Sequence, residues 1–128
     1  MIPASHAFGR EAEAAAAEAL RRKGYRIVER NLRLPGGELD LVAELGTLVV
    51  FVEVKARRSE AFGGAVSAVD GRKQTKLIKL AAQYVARRSL QGRPCRFDVV
   101  VCSGSPDRRM TVQHIEHAFE VPGDRLEW

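Results

Sequence analysis

Along this chain the spacing of apolar positions switches between helical and alternating periods, and each switch marks an element. Residues 10–23 are rich in alanine, leucine, glutamate and arginine, all good helix formers, with a face of small apolar side chains at Ala12, Ala16, Ala19 and Leu20. Ser5 stands where a cap would open this helix near Ala7, and Gly24 stands where glycine commonly closes one. Residues 25–34 carry Ile27, Val28 and Leu32 and read as a strand that ends at the Pro35-Gly36-Gly37 turn. In residues 38–44 strict alternation puts Leu39 and Leu41 on one face and Glu38, Asp40 and Val42 on the other. A turn at residues 44–47 leads into residues 48–55. There Leu48, Val50, Val52 and Val54 line one face, while Val49 and Phe51 begin the other and Glu53 and Lys55 finish it. A strand apolar on both faces belongs in the middle of a sheet covered on both sides.

The glycine-containing stretch 59–70 predicts a loop. Helical spacing returns over residues 72–88, with Leu77, Leu80, Ala81, Tyr84 and Val85 toward the core and Arg72, Lys76, Lys79, Gln83 and Arg87 opposite. After a loop at 91–94, residues 96–102 read as a buried strand, and residues 110–119 contain a last one. The order is αβββαββ. Short turns make the first three strands antiparallel neighbours, and the second helix is long enough to cross over and set the fourth strand parallel to the third. The expected architecture is a mixed α/β sheet flanked by helices, in a single domain spanning residues 1–128 with a loose tail at about 121–128.

Composition narrows the class. The 128 residues fit one domain, and 45% hydrophobic content suffices for one core. The net charge of +5 favours polyanionic partners. Cys95 and Cys102 have neither zinc spacing nor the number for a disulfide framework, so both are expected to be reduced thiols in or near the core. The N-terminus lacks the pattern of a signal peptide, and the most apolar run is far too short to span a bilayer. A cytoplasmic protein without a membrane partner is expected.

The candidate chemistry lies where charges interrupt apolar strands. Glu53 and Lys55 share one side of a strand that is otherwise apolar, and burying both costs several kcal/mol even after they pair. An ordinary reading is a salt bridge at a wet strand end. Asp40 alters the balance, because the short turn brings its strand beside the third and sets Asp40 near Glu53. Two such carboxylates repel unless a cation lies between them. Magnesium, which takes oxygen ligands and keeps waters for a phosphate, suits that place, and a lysine nearby can orient water or offset phosphate charge. Glu13, at the edge of the first helix's apolar face, is a third contributor or else a solvated glutamate. His6, His114 and His117 have no ligand spacing, so no histidine metal site is expected.

These residues belong to a longer ordered pattern. It comprises Gly9-Arg10-Glu11-Ala12-Glu13, Gly24-Tyr25 followed by Asn31, Gly37-Glu38-Leu39-Asp40-Leu41, Phe51-Val52-Glu53-Val54-Lys55 followed by Arg57, Phe62-Gly63, Lys73, and Arg96-Phe97-Asp98-Val99. In this the chain resembles the YraN-like family of small bacterial proteins, which is similar to archaeal Holliday-junction resolvases and to the PD-(D/E)xK nuclease superfamily. The resemblance implies a restriction-endonuclease-like fold. It matches Asp40 and Glu53 to the superfamily's metal ligands, Lys55 to its ExK lysine and Glu13 to the first-helix glutamate, with Mg²⁺ or Mn²⁺ as cofactor. Leu39 replaces the superfamily's proline, as is usual in this branch, and Ala14 stands where many relatives carry an acid.

Around that cluster, Arg57, Arg58, Arg72, Lys73, Lys76 and Lys79 are the expected phosphate contacts, giving affinity without sequence preference. No aromatic ladder, helix-turn-helix or zinc finger accompanies them. Two functions compete, beside a third reading as a structural or adaptor domain whose acidic cluster is only a salt-bridge network. One is a metal-dependent endonuclease that hydrolyses phosphodiester bonds in branched or flapped DNA. The other is a nucleic-acid-binding module with little or no catalysis. A resolvase-like activity would need two sites and hence a homodimer.

Overall fold

The computed structural model describes residues 4–57 (side chains from residue 9), 70–104 and 110–121. The expected loop at 59–69, Arg58, Phe62-Gly63, the His6 side chain and the tail beyond residue 121 lie outside the described residues. The elements are α1 (Ala4–Arg22), β1 (Arg26–Leu34), β2 (Gly37–Leu45), β3 (Leu48–Arg57), α2 (Gly71–Arg88), β4 (Cys95–Ser103) and β5 (Thr111–Ile115). Helix α1 starts at Ala4, so Ser5 lies within it rather than ahead of it; the alanine-rich run carries the helix further toward its N-terminus than the serine predicts.

The five strands form one sheet in the order β1-β2-β3-β4-β5. The β1–β2, β2–β3 and β4–β5 pairs are antiparallel, and β3–β4 is parallel across the α2 crossover. This is the mixed α/β architecture that the element order predicts, and it is compatible with the restriction-endonuclease-like fold that the resemblance implies.

Two layers of core separate along the alternation of β3. Val50 and Val52 pack with Ala12, Ala16, Ala17 and Leu20 of α1, together with Leu41, Val100 and Cys102. Val49 and Phe51 pack with Leu77, Leu80, Tyr84 and Val85 of α2, together with Phe97 and Val99. The buried alanines of α1 bring its backbone close enough for the Cys102 thiol to reach the Ala12 carbonyl oxygen at 3.3 Å. Both cysteines are free, Cys102 buried and Cys95 half-buried.

The core face of α2 is the expected one, with Ile78 added. Asp70 caps its N-terminus by accepting the Lys73 N–H at 2.9 Å, and Ser89, in the left-handed conformation, closes its other end. The β1–β2 turn rests on this helix. Gln83 donates to the Pro35 carbonyl oxygen at 2.8 Å, and a side chain at Gly37 would press on Lys76 and Leu80.

Strand β2 departs from the predicted alternation. Leu39 joins the α2-side core and Leu41 the α1-side core, rather than sharing one face. The neighbouring strand is irregular at the same place. Asn31, with φ of 50°, is left-handed in the middle of β1. It falls opposite Asp40, between the Arg30–Leu41 and Leu32–Leu39 pairs. The left-handed residue interrupts the regular pleat of β1 where β2 changes face, and the β1–β2 register also shifts between Ile27 and Glu29.

Candidate functional site

The β2–β3 ladder ends at the Leu41–Val52 pair. One step further along both strands lie Asp40 and Glu53. There the Asp40 carboxylate takes the place of the ladder, accepting the Val54 N–H at 2.9 Å. Glu53 points to the α2 side, where the Lys73 ammonium lies 3.0 Å from its Oε2. The Glu53 side chain is only 11% exposed, so this is a half-sheltered ion pair rather than a solvated one.

Electrostatics tie the cluster together. Burial, then the Glu53 charge, push the Asp40 carboxyl up to about 7, and Glu13 and Glu38 add to the effect while the Val54 hydrogen bond opposes it. Lys73 is shifted upward, chiefly by its hydrogen bond to Glu53, against burial, with smaller help from the Glu53, Asp40 and Asp70 charges. Asp40 and Glu53 are therefore brought together. Glu13, half-buried on α1, adds its field to Asp40. Among the described residues, however, no three carboxylate, histidine or cysteine side chains gather into a metal-holding group. Lys55 is exposed on β3, two residues beyond Glu53 and by alternation on the same side.

Two adjacent carboxylates, one of them pushed upward by burial and then by its neighbour's charge, form a hard-oxygen donor pair. Such a pair fits a magnesium-like ion that fills its remaining positions with water or phosphate oxygens.

The cationic residues divide. Arg72, Lys76 and Lys79 are exposed along α2. Arg57 ends β3, with its carbonyl oxygen accepting the Gly104 N–H at 2.9 Å. Lys73, also expected as a phosphate contact, engages Glu53 within the protein. The sequence held a signal for this. The first turn of α2 contains no acid, and a lysine there opposes the helix dipole, so its charge needs a partner elsewhere.

A second polar cluster, which sequence reasoning missed, sits on the α1 face of β4. Asp98 is 1% exposed. It accepts from Arg96 at 2.8 and 2.7 Å, pairs with His114 Nε2 at 2.7 Å and accepts the His117 N–H at 3.0 Å. Lys23 lies 2.8 Å from His114 Nδ1. An ammonium can only donate, so Nδ1 accepts and Nε2 carries the proton toward Asp98. Arg96 also donates to the Tyr25 hydroxyl at 2.6 Å. Burial alone would raise the Asp98 carboxyl, but the bonds from His114, Arg96 and His117 outweigh it and hold the group below the usual carboxylate range. The legible signal was a charge inside an apolar strand, with an arginine two residues earlier on the same face.

Residues 12–102 match the model of the family described as uncharacterised protein family UPF0102. The span runs from within α1 nearly to the end of β4 and includes Glu13, Asp40, Glu53, Lys73, Arg96 and Asp98, while His114 and His117 of the second cluster lie beyond it. A UPF0102 protein of Symbiobacterium thermophilum is 46% identical over 117 residues, covering 91% of this chain and 99% of that protein. One from Moorella thermoacetica is 50% identical over 112 residues, covering 87% and 93%, and one from Pseudomonas syringae pv. syringae is 44% identical over 113 residues, covering 88% and 92%. With the family model matched over most of its length and relatives matched nearly end to end, the chain belongs to the uncharacterised protein family UPF0102.

Proposed function

We propose that this protein is a magnesium- or manganese-dependent endonuclease that hydrolyses phosphodiester bonds in structured DNA, with branched or flapped forms as its substrate class. The observation that carries the reading is the pairing of Asp40 and Glu53 where β2 and β3 part, with the Asp40 carboxylate fixed on the Val54 N–H. A carboxylate such as Asp40, whose charge is disfavoured by burial and by a neighbouring carboxylate, is costly for stability alone, and a divalent cation relieves that cost.

Asp40 and Glu53 would hold the ion, with Glu13 completing the acidic shell at longer range. Bound there, the ion supplies positive charge to a phosphoryl oxygen and makes water a stronger nucleophile. Lys55 positions water or offsets charge on the scissile phosphate. Arg57, Arg58, Arg72, Lys76 and Lys79 orient the backbone around the site and read no bases. Action on nucleic acid places the protein in the cytoplasm, and cutting a four-way junction would call for a homodimer.

The test is incubation with branched, flapped and single-stranded DNA, with Mg²⁺, Mn²⁺ or EDTA. Metal-dependent cleavage that falls by orders of magnitude in Asp40→Asn and Glu53→Gln supports the reading, and equal cleavage by those variants sinks it. A second reading, a nucleic-acid-binding module with little or no catalysis, is favoured by one observation: Glu53 already has an internal cation in Lys73. Salt-sensitive DNA binding without cleavage of any substrate would put that reading first.

A further inference from the structure

The geometry points to Lys73 as an internal counter-cation that occupies Glu53 in the metal-free protein and yields that carboxylate when a divalent ion binds, coupling the first turn of α2 to occupancy of the site. The inference rests on the proposed metal-binding role of Asp40 and Glu53.

Three observations carry it. The Lys73 ammonium is 3.0 Å from Glu53 Oε2 and only partly exposed, so it already fills part of the space a cation would use. Lys73 stands in the first turn of α2, where the helix dipole disfavours a positive charge and the capping Asp70 carboxylate offsets it less than Glu53 does. It is held there by Glu53, across the gap between helix and sheet. Its own backbone N–H donates to the capping carboxylate of Asp70, whose charge also acts on the Lys73 ammonium, so a change of partner for the ammonium alters the field at the cap. An incoming divalent ion meets a resident positive charge and a carboxylate oxygen already in use. Both weaken its binding, and a lysine that leaves Glu53 is free to meet a phosphate beside the site. Lys73 thus acts as a positioning residue that keeps the empty site closed to weak cations.

Calorimetric titration with Mn²⁺ alone, without DNA, tests this on wild type, Lys73→Gln and Lys73→Arg. Removing one positive charge several ångströms from the site should tighten Mn²⁺ binding about tenfold. The same variant should melt earlier than wild type without metal and gain more from it. Lys73→Arg, which keeps the charge, should remain near wild type. Equal or weaker Mn²⁺ binding by a folded Lys73→Gln overturns the assignment and leaves the metal site standing. If neither wild type nor Lys73→Gln binds Mn²⁺, the site reading itself falls, and this inference with it. A second measurement needs no variant. In amide spectra of wild type, added Mg²⁺ should shift Lys73 and Gln74 together with Val54, and a shift at Val54 alone counts against the coupling.

Discussion

At the scale of single residues, Asn31 and Asp40 make one unit. A non-glycine residue in the left-handed region carries a cost of roughly 1–2 kcal/mol, less for asparagine than for other types. Asn31→Gly should therefore be neutral or slightly stabilising. Asn31→Val should lose about 1–2 kcal/mol in urea unfolding, because a β-branched side chain resists that conformation. If valine is tolerated as well as glycine, the turn of the pleat at Asp40 does not depend on this backbone. Asp40 itself yields a pH prediction. Its folded value is about 7 against 3.8 for the free group. The folded protein thus holds a proton that the unfolded chain has lost between those values, and stability falls as pH rises through that window. In EDTA, Asp40→Asn should exceed wild type in stability at pH 8 and lose that advantage at acid pH, as read from unfolding curves at each pH. For the same reason Mn²⁺ should bind wild type more tightly at pH 8 than at pH 6, since the ion must displace that proton.

At the scale of elements, the Asp98 cluster joins β4, β5 and the end of α1. Breaking a buried ion pair from one side costs about 3–5 kcal/mol, so Asp98→Ala should destabilise by about that amount in denaturant unfolding. A loss under about 1 kcal/mol would make the network incidental. Its pH dependence is opposite in sign to that of Asp40. The folded carboxyl is depressed below 3.8, so its contribution is present above the unfolded value and disappears as acid carries it through the folded one. Elements were also the level best written in the sequence. Both faces of β3 and the core face of α2 follow directly from period, because each must bury a continuous apolar stripe. The irregularity in β2 does not follow, since alternation presumes a regular pleat, and the irregular backbone opposite it, at Asn31 and between Ile27 and Glu29, belongs to another strand. Likewise, Asp40 and Glu53 were identifiable as neighbours from the short turn between their strands. The Lys73–Glu53 pair was not, because it depends on how α2 returns over the sheet.

At the scale of the whole molecule, exposed cations continue along α2 from the helix end whose Lys73 meets Glu53, and the +5 net charge sets a field attractive to polyanions. Lys76→Glu combined with Lys79→Glu should weaken binding to every DNA sequence alike and flatten its dependence on salt. Filter-binding across a salt series measures both, and unchanged affinity would move the interface elsewhere. Lys76 also lies over Gly37 in the β1–β2 turn, so unfolding curves on the same double variant separate loss of binding from loss of packing.

The placement of β3 bears on how the chain survives its own synthesis. β3 pairs on one side with β2, made just before it, and on the other with β4, which emerges only after α2. Until then a run of Leu48-Val49-Val50-Phe51-Val52 presents an open edge, the kind of segment that seeds aggregation. Glu53 and Lys55 stand at the end of that run as gatekeepers. Glu53→Val should then drive the nascent protein into inclusion bodies while Glu53→Gln stays in the supernatant, whatever either does to DNA.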